Sequence, residues 1–182
     1  MLIIRKKGDS KGRSCIDYCG LNDATIQDVY LLPNAQYLQD KLAGAVKFTV
    51  LNQRNAFNLI RIKTEYKYKT AFILLSGLWK YCVMPFGLTN ISAICQRQND
   101  NILREYLRKF VICYLDNILI YTRKEENYKE YIKLVMKKLA GVDSRLKLSK
   151  CRFGVKQAIF LGYVIRPGQI AIDPEKIKAV QE

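Results

Sequence analysis

The most constraining stretch of the chain runs from Phe110 to Thr122. Two β-rich apolar runs, Phe110 to Leu115 and Ile118 to Thr122, are separated only by Asp116-Asn117. An Asx-Asx pair between such runs predicts a tight hairpin, because both residue types tolerate positive φ. A carboxylate on such a turn is held rigidly and pushed outward, as a metal site requires. Taken alone, Tyr114-Leu115-Asp116-Asn117 reads first as a plain hairpin turn. Two-metal phosphoryl transfer needs carboxylates from two neighbouring backbone segments, bridging cations about 3.5–4 Å apart.

The rest of the chain divides by period. Met1–Lys7 and Arg13–Tyr18 predict two short strands around a polar turn. Ala35–Leu42 predicts a short helix ended by Gly44. Val46–Leu51 predicts a strand, as do Ile60–Ile62 and Tyr81–Met84, with apolar Ala71–Leu75 and a Ser76-Gly77 turn between them. Ile91, Cys95, Ile102 and Tyr106 recur at helical spacing, and Tyr128, Tyr131, Val135 and Leu139 mark a second amphipathic helix closed by Gly141. Ile159–Ile165 and Gln169–Ile172, around Pro167-Gly168, predict a last hairpin. Strands mixed with two packed helices give an α+β fold.

Composition narrows the function classes. Lys plus Arg number 31 and Asp plus Glu 16, a net charge of +15 that points to a polyanionic partner. The chain has no histidine, so no Ser-His-Asp triad and no His-ligated metal is available. The six cysteines form no CxxC pair and read as buried thiols of a reducing compartment. No apolar run reaches bilayer length and the first residues do not form a signal peptide. The expectation is an intracellular protein, in cytoplasm or nucleus, with no membrane partner.

A series of short motifs then sets the hairpin in context. They are Asp17-Tyr18 with Leu21-Asn22, Lys69-Thr70-Ala71-Phe72, and Val83-Met84-Pro85-Phe86-Gly87-Leu88-Thr89-Asn90. Phe110 to Tyr121, Lys147-Leu148-Ser149-Lys150-Cys151 and Phe160-Leu161-Gly162 follow in order. The series resembles, over nearly the whole chain, the reverse transcriptase of gypsy-type LTR retrotransposons. The resemblance implies the fingers and palm of a right-hand polymerase, with an antiparallel palm sheet packed on two helices. It divides the chain into fingers 1–27, palm 28–59, fingers 60–88, palm 89–172 and the start of a thumb connection at 173–182. Most of the thumb and the ribonuclease H domain are expected beyond Glu182.

The same resemblance implies an RNA-directed DNA polymerase acting on an RNA template, a DNA primer and deoxynucleoside triphosphates through two Mg²⁺ ions. Its three metal-binding aspartates fall on Asn52, Asp116 and Asn117, so only Asp116 keeps a carboxylate. An amide offers oxygen without the charge that holds a hard cation. Phe57 falls on the aromatic that excludes a 2′-hydroxyl. Lys6 and Arg13 match cations that grip the triphosphate, and Arg suits phosphate through its bidentate fork. Phe86 and Gly87 belong to the nucleotide site, and Phe160, Leu161, Gly162 and Tyr163 to the primer grip. Lys150 is the candidate acid for the departing pyrophosphate, with Lys147 as the competing assignment.

The departures from the family share a pattern. Tyr128, Tyr131 and Tyr163 stand where the family has His, Asn52 and Asn117 where it has Asp, and Cys19 where it has Arg. Leu31 and Ser92 replace Pro, and Ile94 replaces Thr. One C-to-T transition, on one DNA strand or the other, makes each change. The expectation is a hypermutated, silenced copy without polymerase activity. A working polymerase that needs the rest of its polyprotein, and a co-opted nucleic-acid-binding protein without chemistry, are the alternatives.

Overall fold

The computed structural model describes residues 2–4, 13–30 and 34–181. In chain order the elements are β1 (Leu2–Ile4), β2 (Arg13–Cys15), α1 (Cys19–Asp23), α2 (Ala35–Leu42), β3 (Lys47–Asn52), β4 (Phe72–Leu74) and β5 (Gly77–Trp79). They continue with α3 (Ile91–Leu103), β6 (Val111–Tyr114), β7 (Asn117–Thr122), α4 (Tyr128–Ala140), β8 (Arg152–Val155), β9 (Ala158–Phe160), β10 (Tyr163–Arg166), β11 (Gln169–Ile172) and α5 (Pro174–Gln181). Two compact units result. The first is built from residues 1–30 and 55–95, the second from 31–54 and 96–182.

The second unit is organised around an antiparallel sheet in the order β6-β7-β3-β8. The period-2 alternation of its strands sends side chains to two cores. Phe48, Val50, Ile112, Leu119 and Tyr121 meet Leu38 and Leu42 of α2 on one face, together with Ala158, Phe160 and Ile165. Leu51, Val111, Cys113, Ile118 and Ile120 meet Leu103 of α3 and Val135 and Leu139 of α4 on the other. Because both faces are covered, β3 and β7 are buried at nearly every position. The expectation of a sheet packed on two helices therefore gains a third, α2, which covers the opposite face. A separate three-stranded sheet, β11-β10-β9, completes this unit.

In the first unit β1 pairs with β2 and β4 with β5, both antiparallel. The expected strands at 60–62 and 81–84 are held by an Arg61–Val83 bridge and by the Ile62 and Met84 amides, which donate to Cys82 and Ile60 carbonyls, without forming a longer ladder. The segment Met84–Asn90 works as a clip. Gly87, at φ +100°, accepts a hydrogen bond from the Asn22 amide at 2.7 Å through its carbonyl, and Thr89 N donates back to Asn22 at 2.9 Å. Asn90 donates to Ile26 O and accepts from Asp28 N.

Several sequence expectations are corrected. The strand expected through Tyr18 ends at Cys15. Asp17 then accepts the Cys19 amide at 2.9 Å, and α1 begins instead. Helix α3 stops at Leu103, so Tyr106 lies in the following turn, although its ring still packs on Phe110 at 5.1 Å. The run Ile159–Ile165 is two strands, β9 and β10, around Leu161-Gly162. Cys95, Cys113 and Cys151 are buried thiols as expected, but Cys19 and Cys82 are exposed. Among the described residues no helix is long and apolar enough to cross a membrane.

Candidate active site

The antiparallel register of β3 and β7 places Asn52 directly opposite Asn117. Asp116 precedes Asn117 in the β6–β7 turn, so the side chains of Asn52, Asp116 and Asn117 converge at one end of the sheet. Asn52 is buried and the other two are half-buried. Asn52 Nδ2 donates to Asp116 Oδ2 at 3.0 Å and to Asn117 Oδ1 at 3.1 Å, and Asn117 Nδ2 donates to Asp116 Oδ1 at 3.3 Å. Both carboxylate oxygens of Asp116 thus face amide hydrogens.

This donor set does not fit a pair of Mg²⁺ ions. It carries one negative charge, and amide N–H groups point at the oxygens that would have to turn toward a cation. Among the described residues no group of three or more His, Cys, Asp and Glu is placed to hold a metal ion.

The turn itself departs from the sequence expectation. Tyr114 pairs with Asn117, so the two turn residues are Leu115 and Asp116, not Asp116 and Asn117. The positive φ falls on Leu115, at +51°. A bulky residue in that region is strained and persists only where its surroundings over-determine it. Here two amides of α3 do so. Gln96 Oε1 accepts Leu115 N at 2.7 Å, and Gln96 Nε2 donates to Cys113 O at 2.9 Å. Asn99 Nδ2 donates to Leu115 O at 2.6 Å.

Asn99 is fixed in turn by Gln53. The two side chains exchange hydrogen bonds at 2.8 and 3.1 Å, and Gln53 Nε2 also reaches Ser144 Oγ at 2.9 Å. Gln53, Gln96 and Asn99 are all buried. Sequence reasoning missed this set. Its signal was the presence of Gln96 and Asn99, three apart, on the apolar face of a helix.

The Lys147–Cys151 turn braces the end of β3 from the other side. Lys147 N donates to Asn52 O at 2.8 Å, and Asn52 N donates to Cys151 Sγ at 3.4 Å. The side chains of Lys147 and Lys150 are exposed. In the same unit Phe160 is buried in the core and pairs with Tyr163 across Leu161-Gly162, whose φ values are +54° and +77°. Gly162 lies in the left-handed region that favours glycine, and a Cβ there would also have to displace the flexible end of the Lys176 side chain.

The remaining candidates lie in the first unit. Phe57 meets Phe86 edge-on with ring centroids 5.4 Å apart, next to Gly87. Arg13 sits on β2 opposite Ile4, and Lys6 lies outside the described residues. Tyr18 donates to Thr70 O at 3.2 Å. Burial, with Tyr81 nearby, pushes its hydroxyl up to about 12.

Residues 4–165 match the reverse transcriptase (RNA-dependent DNA polymerase) family. The chain is 40% identical over 182 residues to the retrovirus-related Pol polyprotein from transposon 297 of Drosophila melanogaster, covering 98% of this chain and 17% of that protein. It is 33% identical over 175 residues to the Pol polyprotein from transposon gypsy of the same fly, covering 96% and 17%. To the transposon Tf2-7 polyprotein of Schizosaccharomyces pombe it is 34% identical over 165 residues, covering 91% and 12%. The chain thus spans less than a fifth of the length of these relatives. The fold resembles the foamy viral protease-reverse transcriptase in complex with double-stranded DNA, at a TM-score of 0.85 and 19% identity over 98% of this chain and 31% of that one. The same viral protein in complex with RNA/DNA hybrid gives a TM-score of 0.82 at 18% identity, over 96% and 24%. With the match spanning most of its length and the palm-type sheet in place, the chain belongs to the reverse transcriptase family.

Proposed function

We propose that this chain is the fingers–palm portion of an LTR-retrotransposon reverse transcriptase whose metal centre has been dismantled, leaving a fold that binds nucleic acid without extending a primer. The observation that carries this reading is the closed hydrogen-bonded set of Asn52, Asp116 and Asn117. Phosphoryl transfer depends on positioning and on electrostatic stabilisation of developing charge, so loss of the cation clamp removes the main contribution. In this reading unit 1 is the fingers and unit 2 the palm. Phe57, Phe86, Gly87, Lys6 and Arg13 keep the nucleotide side, residues 160–163 the primer side, and Lys150 the acid for pyrophosphate. The net charge of +15 supports a polyanionic partner, as do the DNA and RNA/DNA hybrid bound by the foamy viral proteins of the same fold.

The test is primer extension on an RNA template, with the chain and its double variant Asn52→Asp/Asn117→Asp each fused to an intact thumb. The unaltered chain is expected at background. Either single reversion is expected to help little, because ligands of one metal centre act as a unit. The double variant is expected to gain Mg²⁺-dependent extension that prefers deoxynucleotides, since Phe57 is retained. Robust Mg²⁺-dependent extension by the unaltered chain would overturn the reading.

A further inference from the structure

Helix α4 carries on its outer face a set of charges that neither the core nor the amide set explains. Its inner face is apolar: Val135 and Leu139 are buried against the sheet, in the core shared with α3. The outer face follows at helical spacing. Lys129, Lys133 and Lys137 recur every four residues and all three are exposed, with exposed Met136 and Ala140 beside them. No acid stands among them. Glu130 flanks the stripe without pairing to it, and among the described residues none of the three lysines has an ionic partner. Lys138, off this stripe, is the paired lysine of α4, held by Glu105 at 3.0 Å.

Helix electrostatics oppose such a stripe. Lysines four residues apart repel each other. Lys129 lies in the first turn, where unsatisfied N–H groups already present positive charge and an acid is favoured. Only Lys137, in the last turn, stands where the helix dipole favours a cation. The stripe therefore costs the free chain stability, and an anion supplied from outside would offset that cost.

The layout selects the anion. From Lys129 to Lys137 the helix rises about 12 Å, a length over which a nucleic-acid duplex presents about seven backbone charges. Lysine is a point charge that contacts phosphate without reading bases. A membrane would call for aromatic or large apolar side chains among the cations, and this face offers Met136 alone. We propose that the outer face of α4 is a second, sequence-neutral site for the phosphate backbone of a duplex. Phe160, Leu161 and Tyr163 pack with α2 on the opposite face of the same sheet. A short duplex is too stiff to bend around the sheet and touch both faces, so the α4 site works whether or not the other face holds a primer.

The experiment footprints the lysines of the full chain by acetylation and mass spectrometry, with and without a saturating blunt DNA duplex of about 12 base pairs, roughly 40 Å long. Lys129, Lys133 and Lys137 are expected to lose most of their reactivity in the complex and to regain it as salt rises. The variant Lys129→Gln/Lys133→Gln/Lys137→Gln is expected to bind one fewer duplex per chain in sedimentation at low salt. It is also expected to melt no lower than the unaltered chain, because it sheds like-charge repulsion and keeps helix propensity. A charge-matched variant in the first unit, Lys63→Gln/Lys67→Gln/Lys80→Gln, is expected to keep the footprint on α4. Unchanged reactivity of the three lysines at saturation, an undiminished duplex count in the α4 variant, or a lower melting temperature for it would each overturn the proposal. Loss of the α4 footprint in the charge-matched variant would reduce the stripe to net charge and overturn it too. Protection by poly-glutamate or by anionic vesicles, but not by duplex, would assign the face to an acidic protein or to a membrane, with the same result. The footprint uses the unaltered chain, so it stands even if a variant fails to fold. Primer extension is read separately, so failure at α4 leaves the palm reading in place.

Discussion

Asn52 is the hub of the amide set. Its Nδ2 donates to two different oxygens, whereas Asn117 accepts one of these bonds and donates only the longest of the three. The two positions should therefore respond unequally to the same substitution. Asn52→Asp places a carboxylate against Asp116 Oδ2 and Asn117 Oδ1 in a largely buried setting. Without divalent cation it is expected to cost about 2–3 kcal/mol. Asn117→Asp leaves Asn52 bridging two carboxylates and sets the new carboxylate against Asp116 only at the longest of the three contacts, so it is expected to cost less, about 1 kcal/mol. Denaturant unfolding in the presence of a chelator measures both, and a reversed order would contradict the hub. Added Mg²⁺ should leave the unaltered chain unchanged and stabilise the double variant, because a ligand bound only by the folded state shifts unfolding. That only one of these three residues carries a carboxylate could be read in the sequence. Their direct hydrogen bonding could not, because it depends on the β3–β7 register.

At the scale of elements, the β6–β7 hairpin is held by a helix as much as by its own turn. Gln96→Ala strips partners from both Leu115 N and Cys113 O next to a backbone already at positive φ. The expected loss is roughly 2 kcal/mol or more, with faster amide exchange at Leu115. An unchanged exchange rate at that amide would show that the turn holds itself. The hairpin was legible because two β-rich apolar runs flank a short polar break, yet the turn fell one residue earlier than the Asx pair implied. Side chains from α3 made Leu115 tolerable there, and no local signal announces such help. The helices α2 and α4 were legible from period and from Gly44 and Gly141. The split between β9 and β10 was not, because Leu161 hides the turn within an apolar run and only Gly162 marks it. Strand β8 was missed for a related reason: it is four residues long and contains Gly154 at φ +61°. The turn at Thr64–Thr70 alternates Tyr with Lys, a pattern with no helical or strand period to detect.

For the molecule as a whole, charge and chain order matter more than any single contact. A net charge of +15 predicts duplex affinity that falls steeply with salt, at a log–log slope of about −0.9 for each phosphate neutralised on duplex DNA. Fluorescence anisotropy of an RNA–DNA hybrid across a salt series measures it, and affinity unchanged between low and moderate salt would rule out phosphate-led binding. Each unit is assembled from two separate stretches of chain, so neither can be excised as one continuous segment. Strand β3 is central in its sheet, yet both of its neighbours, β7 and β8, come later in the chain. Asn52 and its partner Asn117 are 65 residues apart. On a translating ribosome, at roughly 5–20 residues per second, β3 spends about 3–13 seconds as a nascent apolar strand with no sheet to join. During that interval the segment Phe48–Leu51 is a natural client for chaperones, and the speed of elongation through residues 53–122 sets how long it stays exposed.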